Sequence, residues 1–116
     1  MSDKKKMHLL GFIQHGVNSH ATGMWRHPKD KVNWDWSQPA YWQHMARTME
    51  RGMFDGMFIA DELAPYNNYE KSSDACVKYA VQCPTHEPST IVPIITTATQ
   101  HLGVGLTLST AFEHPY

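Results

Sequence analysis

Three apolar runs of strand length alternate along the chain with segments of helical periodicity. Residues 7–13 and 54–60 are nearly continuous apolar runs, which predict buried strands of a parallel sheet. Residues 101–110 alternate apolar with small or polar positions and carry glycines at 103 and 105. This pattern predicts a third strand, in which the glycines ease close packing.

The first helical segment lies between the first two predicted strands. Ser37 is a suitable N-cap, Pro39 is tolerated in a first turn, and Gly52 is expected to end the helix. One face of the segment is apolar and is interpreted as facing the core rather than a cofactor. The residues of that face are Tyr41, Met45, Met49 and Met53, with Trp42 and Ala46 beside them.

A second helical segment precedes the third strand. Pro88 suits the first turn, and apolar positions follow helical spacing as far as Gln100. Pro93 lies inside this segment, where it removes one backbone hydrogen bond. The regular helix is therefore expected to begin near Val92.

The order strand, helix, strand, helix, strand predicts a parallel sheet with right-handed crossovers. A third parallel strand with no helix after it leaves one face and one edge uncovered, so the chain is expected to be truncated. Two loops accompany the sheet. Residues 14–36 form an aromatic-rich loop, and residues 62–87 form a long insertion with one short helix at about 74–81.

Composition and charge narrow the classes of function. The chain has 116 residues, 41% of them hydrophobic and 18% charged, which is typical of a globular protein. Its net charge of -1 gives no field that favours nucleic acid or an anionic membrane. The sequence contains neither an apolar run of membrane-spanning length nor a secretory signal, so a cytoplasmic location is expected.

The spacing of the cysteines, histidines and glycines does not match a metal site or a dinucleotide-binding motif. Cys76 and Cys83 lack C-x-x-C spacing and are expected to be free thiols in a reducing compartment. The spacing of His15, His20 and His27 matches no compact zinc pattern. The glycines at 103 and 105 are not followed by the helix start of a dinucleotide fingerprint.

Four blocks of sequence, in order, carry a resemblance to a known family. They are GMWRHP at 23–28, YWQHMARTMERG at 41–52, FDGMFIAD at 54–61 and STAFEHPY at 109–116. The chain resembles the branch of the luciferase-like monooxygenases that includes the nitrilotriacetate, pristinamycin, dibenzothiophene-sulfone and long-chain alkane enzymes. The resemblance spans nearly the whole chain from Met7 onward.

This resemblance implies a fold and a cofactor. The fold is the N-terminal βαβαβ portion of a (β/α)8 TIM barrel, a domain that usually needs about 250 residues, so residues 1–116 would form part of it. The cofactor is FMN, reduced by a separate NADH-dependent flavin reductase, with dioxygen oxidising a small organic substrate. The resemblance also implies a homo-oligomeric parent enzyme whose phosphate-binding residues lie outside this chain.

Five residues match functional positions of the family. Asp61 and Thr107 correspond to flavin-contacting residues, whereas His20, Tyr66 and Gln82 correspond to polar residues that face the substrate and the reacting oxygen. From the sequence alone, Asp61 is equally well placed to cap a turn, and Thr107 to bond the backbone. His20, Tyr66 and Gln82 would otherwise be ordinary loop residues.

The substrate and the function of the isolated chain stay open. At Gly16 the sulfone-type relatives also have glycine, whereas the alkane-type relatives carry cysteine; the loop 66–84 looks more alkane-type. The leading hypothesis is a flavin-dependent monooxygenase, of which this chain would be an inactive N-terminal part. The alternative is a stand-alone, non-catalytic α/β module that binds a ligand or partner through its exposed sheet edge.

Overall fold

Three parallel strands lie side by side in chain order and form one sheet. The structure, a computed structural model, describes residues 6–17, 27–30, 35–62, 64–81, 83–111 and 114. The strands are β1 (Leu10–Gln14), β2 (Gly56–Ala60) and β3 (Gly103–Leu106). Phe12 pairs with Phe58, and Phe58 pairs with Gly105. All three strands therefore point the same way, and their carboxyl ends meet at one edge.

Helices connect the strands and cover one face of the sheet. Helix α1 (Pro39–Arg51) joins β1 to β2, and α2 (Asp74–Tyr79) lies in the long insertion as predicted. A 3₁₀-helix (Pro88–Ile91) continues into α3 (Val92–Thr96) before β3. Helix α1 packs against β2 and α3. The buried hydrophobic core lies between these elements and comprises Val17, Trp36, Trp42, Ala46, Met57, Ile59, Ile91, Ile95 and Leu102.

The ends of α1 differ in detail from the sequence prediction. Gln38 rather than Ser37 is the N-cap, and its side chain makes no capping hydrogen bond. Pro39 begins the helix because its fixed φ suits a first turn. Gly52 is the C-cap as predicted, but the left-handed residue is Met53, with φ of 60°. Met53 is 83% exposed and is therefore not part of the core-facing stripe.

The rest of the α1 stripe does face the core. Trp42 and Ala46 are buried, while Tyr41, Met45 and Met49 are half-buried and pack at the margin. The indole N–H of Trp42 donates to the carbonyl of Trp36 at 2.6 Å. Burial of a tryptophan is stabilising only if its N–H keeps a partner, and this bond provides one.

The first strand was predicted to be buried, and it is buried on one face only. Leu10 and Phe12 are 62% and 56% exposed, whereas Gly11 and Ile13 face the helices. Alternate residues of a strand point to opposite faces, and no described helix covers the face that carries Phe12. The Phe12 and Phe58 rings stack there with centroids 5.9 Å apart.

The region before β3 confirms the effect expected of Pro93. The first turn is a 3₁₀-helix, and the α-helix begins at Val92, with Pro93 in its first turn. That helix ends at Thr96 instead of Gln100, and β3 ends at Leu106 instead of Thr110. Leu108, assigned to the strand by its alternation, is 53% exposed and lies beyond the strand.

A carboxylate ties the end of α1 to the turn before β3. Oε1 of Glu50 accepts hydrogen bonds from the backbone N–H groups of Gln100, His101 and Leu102, at 2.8, 2.6 and 3.2 Å. These bonds lower the pKa of Glu50, with the bond from His101 contributing most. The amino end of β3 is thereby fixed to α1.

No helix among the described residues is long and apolar enough to cross a bilayer.

Candidate functional site

The carboxyl ends of the strands bring two of the sequence-predicted residues together. Thr107 follows β3 directly, and its backbone N–H donates to the carbonyl of Ile59 at 3.1 Å. Asp61 follows β2 directly. The backbone N–H of Asp61 donates to the hydroxyl Oγ1 of Thr107 at 2.7 Å. The predicted flavin-contacting residues are therefore neighbours joined by a hydrogen bond, and both are half-buried.

Glu62, the next residue, connects three segments of the chain. Its Oε2 accepts a hydrogen bond from Nε2 of Gln14, the last residue of β1, at 3.3 Å. Its backbone carbonyl accepts from the hydroxyl of Thr85, at the end of the insertion, at 3.1 Å. Glu62 is also the main cause that raises the pKa of the Tyr66 phenol. Glu62 was not among the predicted site residues, although its position next to Asp61 was a usable signal.

An open groove of about 450 Å³ lies beside these residues. It is lined by Asp61, Glu62, Ala64, Pro65, Tyr66, Asn67 and Ser109. The lining offers two carboxylates as acceptors, together with amide, hydroxyl and phenol groups that can donate. Since the described residues of the lining include no lysine, arginine or histidine, this part of the groove is suited to a neutral polar ring and gives a phosphate no cationic partner.

Tyr66 is the one predicted substrate-facing residue that the structure describes. Its side chain lines the groove, and the residue is 42% exposed. The nearby Glu62 carboxylate, followed by partial burial, raises the pKa of the Tyr66 phenol. A phenol with a raised pKa keeps its proton to higher pH and remains a hydrogen-bond donor. His20 and Gln82 lie outside the described residues.

His15 forms a second, buried polar centre next to the end of β1. It is 6% exposed. Its ring packs edge-on against Trp36 and Trp42, with ring centroids 6.1 and 5.2 Å apart. The ring of His86 is tilted relative to it, with centroids 5.2 Å apart. Its Nδ1 lies 3.3 Å from the carbonyl oxygen of Glu87. Burial lowers the pKa of His15, so the neutral imidazole is favoured.

The contacts around His15 attach the insertion to the end of β1, which is a structural role. The carbonyl of His15 accepts from the backbone N–H of His86 at 2.9 Å, and Gly16 forms an antiparallel bridge with Thr85. These contacts hold the end of the insertion against the end of β1. A cavity of about 280 Å³ borders the centre and is lined by His15, Ser37, Pro39, Trp42, His86, Thr90, Ile91 and Ile94.

The cysteines are free thiols, as predicted. The Cys76 sulfhydryl is buried and donates to the carbonyl of Val81 at 2.6 Å. Burial, with a smaller effect of the neighbouring Cys76, raises the pKa of the Cys83 thiol. Among the described residues, no three His, Cys, Asp or Glu side chains converge as a metal site.

Comparisons with known proteins connect this geometry to a family. No family model matches the chain. The chain is 37% identical over 112 residues to the long-chain alkane monooxygenase of Geobacillus thermodenitrificans, covering 97% of this chain and 25% of that protein. It is 40% identical over 117 residues to the dibenzothiophene-sulfone monooxygenase of Rhodococcus erythropolis, covering 100% of this chain and 25% of that protein.

Solved structures agree with the sequence comparisons. The crystal structure of a long-chain alkane monooxygenase matches with a TM-score of 0.89 and 37% identity, over 97% of this chain and 26% of that chain. A riboflavin lyase, solved with modified FMN and the substrate riboflavin, matches with a TM-score of 0.84 and 26% identity, over 97% of this chain and 25% of that chain. The chain spans about a quarter of the length of these relatives. The predicted βαβαβ portion of a TIM barrel is confirmed.

Proposed function

Because the chain is homologous over its whole length to the N-terminal quarter of luciferase-like monooxygenases, we propose that it forms one side of the flavin site of an FMN-dependent monooxygenase. The observation that carries this proposal is the pairing of Asp61 with Thr107 beside an open groove at the carboxyl ends of the strands. In TIM-barrel enzymes, this end of the strands is where active sites lie.

The residues present suit the ring of a flavin better than its phosphate. An isoalloxazine ring has a flat apolar body and a rim of carbonyl and N–H groups, and the groove supplies carboxylate, amide and hydroxyl partners for such a rim. Asp61 and Thr107 are the residues that would hold the ring, with Asp61 as acceptor. Because none of the described lining residues is cationic, we propose that a phosphate is bound by residues elsewhere in the protein.

Reduced FMN, when bound, supplies the electrons that activate dioxygen for the oxygenation of a substrate. The protein then has to orient the substrate, exclude water and hold protons in place. The phenol O–H of Tyr66 can donate a hydrogen bond at the edge of the groove. His20 and Gln82 are proposed as further polar groups on the substrate side.

A reduced-flavin enzyme of this kind needs partners. We propose that a separate NADH-dependent flavin reductase delivers reduced FMN, and that the parent enzyme is a cytoplasmic homo-oligomer. The substrates proposed are a sulfone, an alkane or an aminopolycarboxylate. On this proposal, the 116-residue chain taken alone is inactive, because it carries only part of the flavin site.

Among these substrates we propose a sulfur compound, because glycine at position 16 is the residue of the sulfone-type pattern, although the loop 66–84 resembles the alkane type. A Cβ atom on Gly16 would lie 2.7 Å from Cγ2 of Thr85 and 3.0 Å from the carbonyl oxygen of Pro84. The cysteine of the alkane-type pattern therefore does not fit here unless the insertion moves. A substrate panel of sulfones, sulfides and alkanes, assayed with the full-length protein, reductase, NADH and FMN, tests this choice.

Flavin binding tests the proposed site itself. In the full-length protein under anaerobic conditions, we expect Asp61→Ala to weaken binding of reduced FMN about tenfold or more, because a hydrogen bond to a charged group is lost. Fluorescence titration gives the dissociation constant. Asp74→Ala, which removes an exposed carboxylate from α2, is the matched control. Equal dissociation constants for Asp61→Ala and the control would make Asp61 a purely structural residue.

Two observations distinguish the non-catalytic alternative from the proposed monooxygenase. If the chain is a stand-alone α/β module, the coding sequence stops after Tyr116 and the protein binds no flavin. If it is part of a monooxygenase, the reading frame continues into further strands, and the complete product binds reduced FMN.

A further inference from the structure

The cavity of about 280 Å³ next to His15 lies on the helix-covered side of the sheet. It is lined by residues from the start of α1, from the 3₁₀-helix and from α3. The His15 ring packs against Trp42 in this layer, whereas the preceding residue, Gln14, reaches Glu62 at the groove. The cavity and the groove share no described lining residue, so they are two separate sites.

His15 is the buried polar residue of this cavity, and one nitrogen of its ring already has partners. Nδ1 lies 3.3 Å from the carbonyl oxygen of Glu87 and 3.5 Å from the hydroxyl oxygen of Thr90. The Thr90 hydroxyl donates its own proton to the same carbonyl at 2.7 Å. Both oxygens therefore accept from His15, so Nδ1 carries the ring proton.

The other ring nitrogen, Nε2, is then an unprotonated acceptor. Burial is the main cause that lowers the pKa of His15, so the neutral ring is the favoured form. Among the residues that the structure describes, none donates a hydrogen bond to Nε2. Because His15 is only 6% exposed, an acceptor left without a donor there costs stability. An occupant of the cavity with an O–H or N–H group would supply the missing donor.

The rest of the lining selects an uncharged occupant with an apolar body. No carboxylate, lysine or arginine is among the described lining residues. The apolar members are Pro39, Trp42, Ile91 and Ile94. Sites for small molecules are typically lined in this way, with a few polar groups that fix the orientation of the ligand. Since an apolar cavity of about 150 Å³ can hold a benzene ring, this cavity has room for one substituted ring.

A metal ion matches the same residues less well. The rings of His15 and His86 have centroids 5.2 Å apart, and imidazole is a common metal ligand. Within the described part of the chain, however, no third His, Cys, Asp or Glu joins them. The Thr90 and Ser37 hydroxyls that complete the lining suit a ligand that forms hydrogen bonds.

We propose that the cavity beside His15 is a second binding site, for a small neutral phenol or alcohol. The hydroxyl of this ligand donates to Nε2 of His15, and its apolar body lies against Trp42, Ile91 and Ile94. The site is independent of the proposed flavin site, so binding there can be measured without flavin.

The first test compares two probes that differ by one hydroxyl. The full-length protein is titrated with 4-fluorophenol and, separately, with fluorobenzene, and fluorine NMR gives each dissociation constant. We expect 4-fluorophenol to bind about fivefold or more tightly than fluorobenzene, because only the phenol can form the hydrogen bond to His15. Equal affinities, or no saturable binding of 4-fluorophenol, would overturn the proposal.

The second test locates the bound phenol. His15→Phe keeps an aromatic ring and removes the acceptor, so the preference for 4-fluorophenol over fluorobenzene should disappear. His44→Phe, at an exposed position of α1, is the matched control and should retain the preference. If His15→Phe also retains it, the phenol is bound elsewhere in the protein and the proposal fails.

A third variant keeps His15 and fills the cavity, which covers the case that His15→Phe does not fold. Ile94→Phe enlarges a half-buried lining residue and should weaken the binding of both probes. Unchanged affinity of this variant for 4-fluorophenol would contradict the proposed location. Release of bound 4-fluorophenol by an equimolar amount of zinc would assign the cavity to a metal ion instead.

Discussion

The hydroxyl of Thr107 accepts a hydrogen bond of 2.7 Å from the backbone N–H of Asp61. The two residues are 46 positions apart in the chain and come from the ends of neighbouring strands. The bond therefore aligns the turn after β2 with the end of β3. A ligand that contacts both residues would therefore bind to a preformed arrangement.

Removal of the Thr107 hydroxyl should destabilise the protein. Thr107→Val leaves the half-buried N–H of Asp61 without its acceptor, and the expected cost is about 1 kcal/mol in the free energy of unfolding. Urea unfolding of the variant against the parent measures it. Thr107→Ser keeps the hydroxyl and is the control. Equal stability of the valine and serine variants would show that the bond contributes nothing.

Two glycines of the sheet should respond differently to alanine. A Cβ atom on Gly56 would lie 2.9 Å from the backbone oxygen of Gly103, whereas one on Gly11 would meet the end of the Met49 side chain at 2.6 Å. Backbone cannot yield as a flexible methionine can. We expect Gly56→Ala to lose about 1–3 kcal/mol and Gly11→Ala distinctly less. A reversed order in urea unfolding would contradict this account of the packing.

Glu50 should make the protein sensitive to acid. Hydrogen bonds from backbone N–H groups lower its pKa in the folded state. Its stabilising effect is therefore fully present above the unfolded pKa of about 4.3 and is lost as the pH falls through the folded value. We expect Glu50→Ala to melt at a lower temperature than the parent at pH 7, with the difference shrinking in acid. A difference that stays constant down to low pH would argue against a charge effect.

His15 should produce a separate loss of stability at higher pH than Glu50. Because burial lowers its pKa below the ordinary value of 6.5, the unfolded chain binds the proton more readily than the folded protein does. Stability is therefore retained above about pH 6.5 and falls as the pH drops below it. His15→Phe should flatten this part of the profile measured by thermal unfolding. His44, exposed on α1, gives the control variant His44→Phe.

The spacing of hydrophobic residues was sufficient to predict the order of strands and helices, because each kind of element buries residues at its own spacing. The positions of β2 and α1 were predicted within a few residues, and Pro93 correctly marked the delayed start of α3. The apolar run of β1 predicted burial, but the run itself does not show whether one face or both faces are covered. Phe12 is apolar and exposed, in agreement with the uncovered sheet face that the order of the elements predicted.

The site was only partly accessible from sequence. Asp61 and Thr107 came from the family resemblance, and their hydrogen bond could not be deduced, since it depends on strand register. Glu62 and His15 were missed as members of polar clusters because their partners lie 23 to 75 positions away along the chain. His20 and Gln82 remain predictions.

The clamp of Glu50 on residues 100–102 has a mechanical consequence for the groove. β3 is only four residues long, about 13 Å at the usual strand rise, and Thr107 follows its far end. Hydrogen bonds hold this short strand at both ends, since Glu50 binds the backbone before it and Thr107 binds Ile59 and Asp61 after it. Thr107 is therefore attached to α1 and to β2 together, so that the edge of the groove is set by regular elements rather than by a loop.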